Sequence, residues 1–122
     1  MTFPVTVPVS VRLVDGPSEH EGRLEVEYNG EWGTVCDYNF GRTEADVACH
    51  QLGYNGSAAV YTHGGGSGRV WMREVNCNGM ETSLDQCYRR GWAVHYGYPC
   101  GHSRDVGIIC AVNDICKYQY YS

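Results

Sequence analysis

The chain has only two phenylalanines and four prolines among its 122 residues, and charged side chains make up just 19%. No apolar run approaches the roughly 18 residues that cross a membrane as a helix. The opening MTFPVTVPVS carries neither a basic start nor an apolar block, so it does not read as a secretory leader. A leader or a larger extracellular part is expected upstream of it. The glycine run Gly64 to Gly68 lacks the Gly-Lys-Ser/Thr ending of a phosphate loop, which argues against nucleotide binding. There is no internal repeat and no linker. With a net charge of −5, no overall basic excess suggests nucleic acid, and no such partner is expected.

Against these absences stand ten tyrosines, sixteen glycines and seven cysteines, the make-up of a loop-rich domain with a modest core. Reducing compartments keep thiols free, so this density of cysteine implies disulfides and an extracellular setting, either secreted or as part of a receptor ectodomain. The sequon Asn55-Gly56-Ser57 agrees and makes Asn55 a candidate glycosylation site. Charge is unevenly placed. Residues 1–48 hold nine acids against Arg12, Arg23 and Arg42, while residues 49–122 hold five acids against six bases. A locally basic face on an acidic protein is therefore possible.

Along the chain, residues 11–14 read as a strand ending at the turn Asp15-Gly16-Pro17. Residues 24–28 alternate, which predicts Leu24, Val26 and Tyr28 facing a core and Glu25 and Glu27 facing water. Asn29-Gly30 predicts a tight hairpin, with residues 32–36 as the return strand. A helix is predicted over 43–52, capped by Thr43, with Asp46 near its positive end. Ala45, Ala48, Cys49 and Leu52 share its inner face, and Gly53 closes it. The run 64–68 reads as a flexible loop, 70–75 as a strand, 82–87 as a short helical turn and 106–110 as a buried strand. Residues 1–10 form an extension, 11–112 the domain and 113–122 a tail.

These segments carry a resemblance. Gly22 to Val26, Gly30 to Asp37, Val47 to Gly53, Gly66 to Met72 and Cys100 to Gly107 all resemble the scavenger receptor cysteine-rich domain, in collinear order. The family has six- and eight-cysteine forms. The extra pair of the larger form falls near His20 and at Tyr54, neither of which is cysteine, so this chain is similar to the six-cysteine group. The resemblance implies the pairs Cys36–Cys100, Cys49–Cys110 and Cys77–Cys87, a choice that sequence alone cannot make among fifteen pairings. It also implies the fold class: a small disulfide-stapled α+β domain, a curved and mostly antiparallel sheet cradling one helix, plus a short second helix. Trp32, Val35 and Leu52 are expected to help fill the core.

The stretch CGHSRDVGIIC, residues 100–110, holds a thiol, an imidazole, a hydroxyl and a carboxylate. It admits a nucleophilic site, a zinc site or a strand bracketed by half-cystines. With Cys100 and Cys110 oxidised as the family pairing implies, neither supplies the thiolate that attack requires. Ser103 and His102, as neighbours on a strand, point to opposite faces. The cysteines form no Cys-x₂-Cys pair and the other histidines no ligand pattern. The expectation is a stapled strand, no catalysis and no zinc. Cys116, beyond the last family cysteine, is expected to link outside the domain.

The resemblance implies a recognition module for microbial surface polymers, polyanions or a protein partner, as in innate immunity. The alternative is an accessory module of a larger secreted enzyme or matrix protein. Calcium-binding members use clustered carboxylates; here Asp37, Glu74 and Asp105 remain, but Tyr38, Arg73 and Arg104 stand where partners of that cluster are expected. Weak or absent calcium binding follows, since the ion wants six to eight oxygen ligands. In its place, Arg73, Arg104 and Arg69 are expected to form a metal-independent anion-binding face flanked by Tyr38, Trp71 and Tyr96, with Arg104 pairing Asp37.

Overall fold

The computed structural model describes residues 8–89, 91–93 and 99–112. Tyr96 and Cys116, and the expectations attached to them, lie outside the described residues. Six strands form one sheet: β1 (Ser10–Ser18), β2 (Glu21–Tyr28), β3 (Glu31–Val35), β4 (Ser57–Thr62), β5 (Val70–Met72) and β6 (Val106–Cys110). One helix, α1 (Arg42–Gln51), and two 3₁₀ turns, Leu84–Gln86 and His102–Arg104, complete the described elements. The fold class matches the expectation, with the short second helix reduced to a 3₁₀ turn.

β2 organises the sheet. β1 pairs along it from Ser10 opposite Glu27 to Ser18 opposite Glu21. Its other edge is shared end to end, by β6 at residues 21–23 and by β3 at residues 25–28. All pairings are antiparallel except β3 with β5. The β2–β3 turn is as predicted: Asn29 (φ 53°) and Gly30 (φ 78°) both take the left-handed conformation that a two-residue hairpin with native twist requires. β1 runs on through the predicted turn at Asp15-Gly16-Pro17, where an irregularity in the register, with Asp15 at φ 59°, absorbs the bend.

Leu24, Val26, Val35, Met72, Val106 and Ile108 from the sheet meet Ala45, Val47, Ala48 and Cys49 of α1 in the core, all fully buried. Val35 is there as expected, while Trp32 and Leu52 are only half-buried. The helix begins earlier than predicted, with Gly41 rather than Thr43 as its cap. The reason is Glu44, whose Oε1 accepts from Gly41 N (2.8 Å) while its Oε2 accepts from Cys77 N (2.9 Å). One carboxylate thus caps the helix and anchors the first cysteine of the short disulfide loop. Asp46 accepts from both N (2.7 Å) and Oγ (2.6 Å) of Ser57, joining α1 to β4. Burial opposes ionisation of Asp46, but these bonds and the nearby Arg42 and His50 outweigh it and lower its pKa. Gly53 closes the helix at φ 97° as predicted.

Among the described residues the disulfides are Cys36–Cys100, Cys49–Cys110 and Cys77–Cys87. Cys100 and Cys110 therefore belong to different staples. The expected single strand between them is instead a 3₁₀ turn at 102–104 followed by β6.

Glu25 corrects the alternation argument. Its side chain does leave the core face, yet it is 7% exposed. Arg12, directly opposite on β1, donates Nε (3.0 Å) and Nη2 (2.7 Å) to its Oε1, and Arg23 donates Nε (3.0 Å) to its Oε2. Arg23 also reaches Asp15 (2.7 Å) and the Gly64 carbonyl (3.1 Å), so the glycine loop covers this second, ionic layer. Removing one partner of a buried pair strands the other. Glu25→Ala is expected to lower stability by about 2 kcal/mol, Asp15 still holding Arg23, and half-exposed Arg12→Ala by under about 1 kcal/mol. Urea titration of the two variants checks the order.

Candidate functional site

The surface predicted to bind ligand is built where the chain after β3 meets the turn before β6. Cys36 and Asp105 bridge backbone to backbone, and Asp37 N donates to Arg104 O (2.8 Å). This brings Asp37 and Arg104, 67 residues apart, side by side. Arg104 Nε donates to Asp37 Oδ1 at 2.8 Å, and the Thr62 hydroxyl donates to Asp37 Oδ2. The Arg104 guanidinium carbon lies 5.8 Å from the Tyr38 ring centroid. Arg104 keeps 42% of its side chain exposed while Asp37 keeps 16%. A fixed cation thus occupies the carboxylate, as the sequence pattern suggested.

Among the described residues, the rest of the predicted face does not assemble. Arg73 is 3% exposed and Trp71 is 6% exposed, so neither lies on a surface with Arg104. Trp71 is drawn inward because Gly33 has no side chain: a Cβ there would sit 2.4 Å from Trp71 Cδ1. The indole N–H donates to Glu31 O (2.9 Å), and its ring meets Tyr28 edge-on. Strand β5 stops at Met72, shorter than predicted, and Glu74 takes φ 52°. Arg69 is exposed, but its Nε lies 3.8 Å from Glu31 and its guanidinium sits over Trp71. Of the predicted binding residues, Arg104 and Tyr38 come together beside Asp37, and Arg69 stands apart with Glu31.

Asp105 is fully buried. Its carboxylate accepts from Gly66 N (2.8 Å) and meets His102 Nδ1 at 3.1 Å from each oxygen. Asp37 is engaged by Arg104 and Thr62, and half-buried Glu74 lines a separate groove of about 370 Å³ with Asn39, Glu44, Asn76 and Tyr88. Among the described residues, these three carboxylates are not gathered into one group with ligand atoms within 4.8 Å of one another. Cys77, Glu81 and Cys87 also cluster, but the two sulfurs are bonded to each other and Glu81 accepts from Asn78 N and Gly79 N.

Sequence reasoning weighed His102 as a base and missed its structural place. Its Nε2 meets the Gly68 carbonyl at 2.9 Å, so both ring nitrogens are committed. The run 64–68 is likewise fastened rather than free: Gly64 N, Gly65 N and Gly66 N donate to Asp105 O, His102 O and Asp105 Oδ2. The signal was present as the His102-x-x-Asp105 spacing, which one helical turn brings into contact. Asn55 is exposed as a modified residue requires, while Ser57 is buried against Asp46.

The comparison with known families decides what this arrangement is. The profile described as "Scavenger receptor cysteine-rich domain" matches residues 14–111. The chain belongs to this family. Its solved neighbours include the scavenger receptor cysteine-rich domain of mouse MARCO in its dimeric form (TM-score 0.70, 41% identity, covering 83% of this chain and 94% of that one). The third such domain of murine neurotrypsin is equally similar (TM-score 0.71, 40% identity, covering 84% and 95%). Among curated relatives, lysyl oxidase homolog 4 of Bos taurus is 49% identical over 107 residues, covering 84% of this chain and 14% of that protein. Lysyl oxidase homolog 2 of Xenopus laevis is 44% identical over 115 residues, covering 90% and 15%. The chain spans only about a seventh of these relatives. A scavenger receptor cysteine-rich domain is a ligand-binding type of module, and three disulfides fit an extracellular one.

Proposed function

We propose that this domain is a non-catalytic accessory recognition module of a larger secreted enzyme resembling the lysyl oxidase homologs, and that it meets its partners without a metal. The observation that carries the reading is the 49% identity across the domain to a protein of which the domain is only 14%. Free-standing capture of anionic polymers, the first expectation, has lost Arg73 to the interior and rests on Arg104 and Arg69, which are exposed but paired with acids. The domain is of the six-cysteine kind: His20 and Tyr54, at the positions of the additional pair, face each other with ring centroids 6.4 Å apart. Asn55 carries a glycan in this reading.

The test begins with the full reading frame, which is expected to continue into an oxidase domain; continuation into a membrane anchor with no enzyme overturns the proposal. The isolated domain is expected to release no peroxide from soluble amines. Calorimetry is expected to find no sub-millimolar calcium site, since the ion needs several free carboxylates. Binding to a sulfated polymer is expected to be weak, insensitive to chelator, and reduced further in Arg69→Ala/Arg104→Ala. A calcium-dependent complex that survives those substitutions refutes the metal-free part. Arg104→Ala should lower stability by no more than about 1 kcal/mol, because its pair with Asp37 is partly exposed.

A further inference from the structure

His102 has contacts that a neutral ring cannot serve. Nδ1 lies 3.1 Å from both oxygens of buried Asp105, and Nε2 lies 2.9 Å from the Gly68 carbonyl. Carboxylates and carbonyls only accept, so both nitrogens must donate, and only the imidazolium carries two N–H groups. The Thr34 hydroxyl is a longer contact, at 3.4 Å from Nδ1. His63 also lies against the loop, with Nδ1 2.8 Å from Gly64 O and Nε2 3.1 Å from Asp15 O. The two rings thus hold opposite ends of the glycine run, one at Gly64 and one at Gly68.

We propose that His102 forms a pH-dependent clasp on the Gly68 end of loop 64–68, closed while its ring is protonated and slackened when it is neutral. The loop is one wall of a groove of about 390 Å³ lined by Arg12, Asp15, Arg23, Glu25, Trp32 and Ser67. Loosening it at the Gly68 end frees that wall. A neutral His102 keeps its bond to Asp105 and gives up Gly68, because the carboxylate is the stronger acceptor.

The charges around the clasp come from several elements. Asp15 faces it from β1, Arg23 and Glu25 from β2, Tyr61 from β4 with its ring 5.8 Å from His63, and Asp105 from the start of β6. Burial disfavours a charged His102, and so does Arg23. The Gly68 carbonyl and Asp105 outweigh both and raise its pKa above the ordinary value. The sign follows from linkage. A raised pKa means that the contribution is full below the unfolded value of about 6.5 and is lost as pH climbs through the folded value.

The experiment is an NMR titration of the whole chain from acid to mildly alkaline pH, with amide exchange corrected for its intrinsic pH dependence. The His102 ring should titrate above about 6.5. Protection of the Gly65 and Gly66 amides should fall about tenfold across that titration, the effect of losing one charged hydrogen bond, while Val26 in β2 stays unchanged. His102→Gln should abolish the pH dependence and leave the loop loose throughout. A ring that is neutral at the acid end overturns the clasp, as does flat protection of Gly65 and Gly66 in the unsubstituted protein. Both are read without any variant, so a misfolded His102→Gln leaves the proposal open to refutation. Wild-type pH dependence surviving in a folded His102→Gln overturns it equally.

Discussion

Replacing Cys49 and Cys110 together with alanine is expected to lower the stability of the domain by about 4 kcal/mol, the loop-entropy value for a closure of this length. The bond joins α1 to β6 across 61 residues, and both cysteines are buried, at 0% and 1% exposure. Without it the unfolded chain regains the freedom that a long closed loop denies it, and the helix loses its covalent tie to β6. Small domains have about 5–15 kcal/mol in total, so the variant should unfold at far lower urea. The Cys77–Cys87 pair spans only 10 residues, and its double alanine variant should lose under about 3 kcal/mol. Equilibrium urea titration without reductant separates the two. Equal losses, or the reverse order, would show that native packing rather than chain entropy sets the contribution of each bond.

How much of this was legible in the sequence depends on what each residue had to reveal. The β2–β3 hairpin was legible because alternation and Asn29-Gly30 are local signals, and local signals suffice for a two-residue turn. The disulfide pairing came from family resemblance, since spacing alone does not select one. Glu25 marks the limit of alternation: period two assigns a side chain to a face but does not say whether another segment covers that face. Here loop 64–68 does, through Arg23. Composition misread the same loop as flexible. Gly66 is required by closeness, since a Cβ there would lie 2.5 Å from Thr34 Cγ2 and 2.6 Å from Asp105 Oδ2, whereas Gly64, Gly65 and Gly68 take left-handed φ of 74°, 84° and 78°. Arg73 was placed on the binding face because it stands where the family resemblance puts an acid, yet it is 3% exposed, with Nε and Nη1 buried and without a hydrogen-bond partner among the described residues.

The pairing of Asp37 with Arg104 was legible for a different reason. Opposite charges had replaced like charges at positions the family resemblance brings together, and electrostatics then leaves one natural arrangement. What could not be read was that neighbouring Asp105 turns away from that surface altogether. Arg104 and Asp105 are adjacent in sequence but serve separate structures. One is a surface ion pair, the other an interior anchor for His102 and the glycine loop.

That anchor supports the second large effect. Asp105→Ala is expected to lower stability by about 3 kcal/mol, the lower end of the range for breaking a buried charged pair. Alanine keeps the backbone bonds, in which Asp105 O accepts from His63 N and Gly64 N. It removes the carboxylate, leaving the Gly66 amide without its acceptor and His102 without its counter-charge. His102 remains 30% exposed and regains some water, which keeps the loss below the upper end of that range. Asp105→Asn restores a neutral acceptor for Gly66 and should recover about 1 kcal/mol, one ordinary hydrogen bond. The two losses should depend on pH in a definite sense. In the unsubstituted protein the His102 contribution is full below about pH 6.5 and fades as pH rises through the raised folded value. Both variants lack the carboxylate that favours the charged ring, so each should fall further behind the parent in mild acid than in mild alkali. Urea titrations at the two ends of that range measure the difference. A deficit that is the same at both would mean that Asp105 serves only as an acceptor for Gly66, and that the charge on His102 contributes nothing to holding the loop.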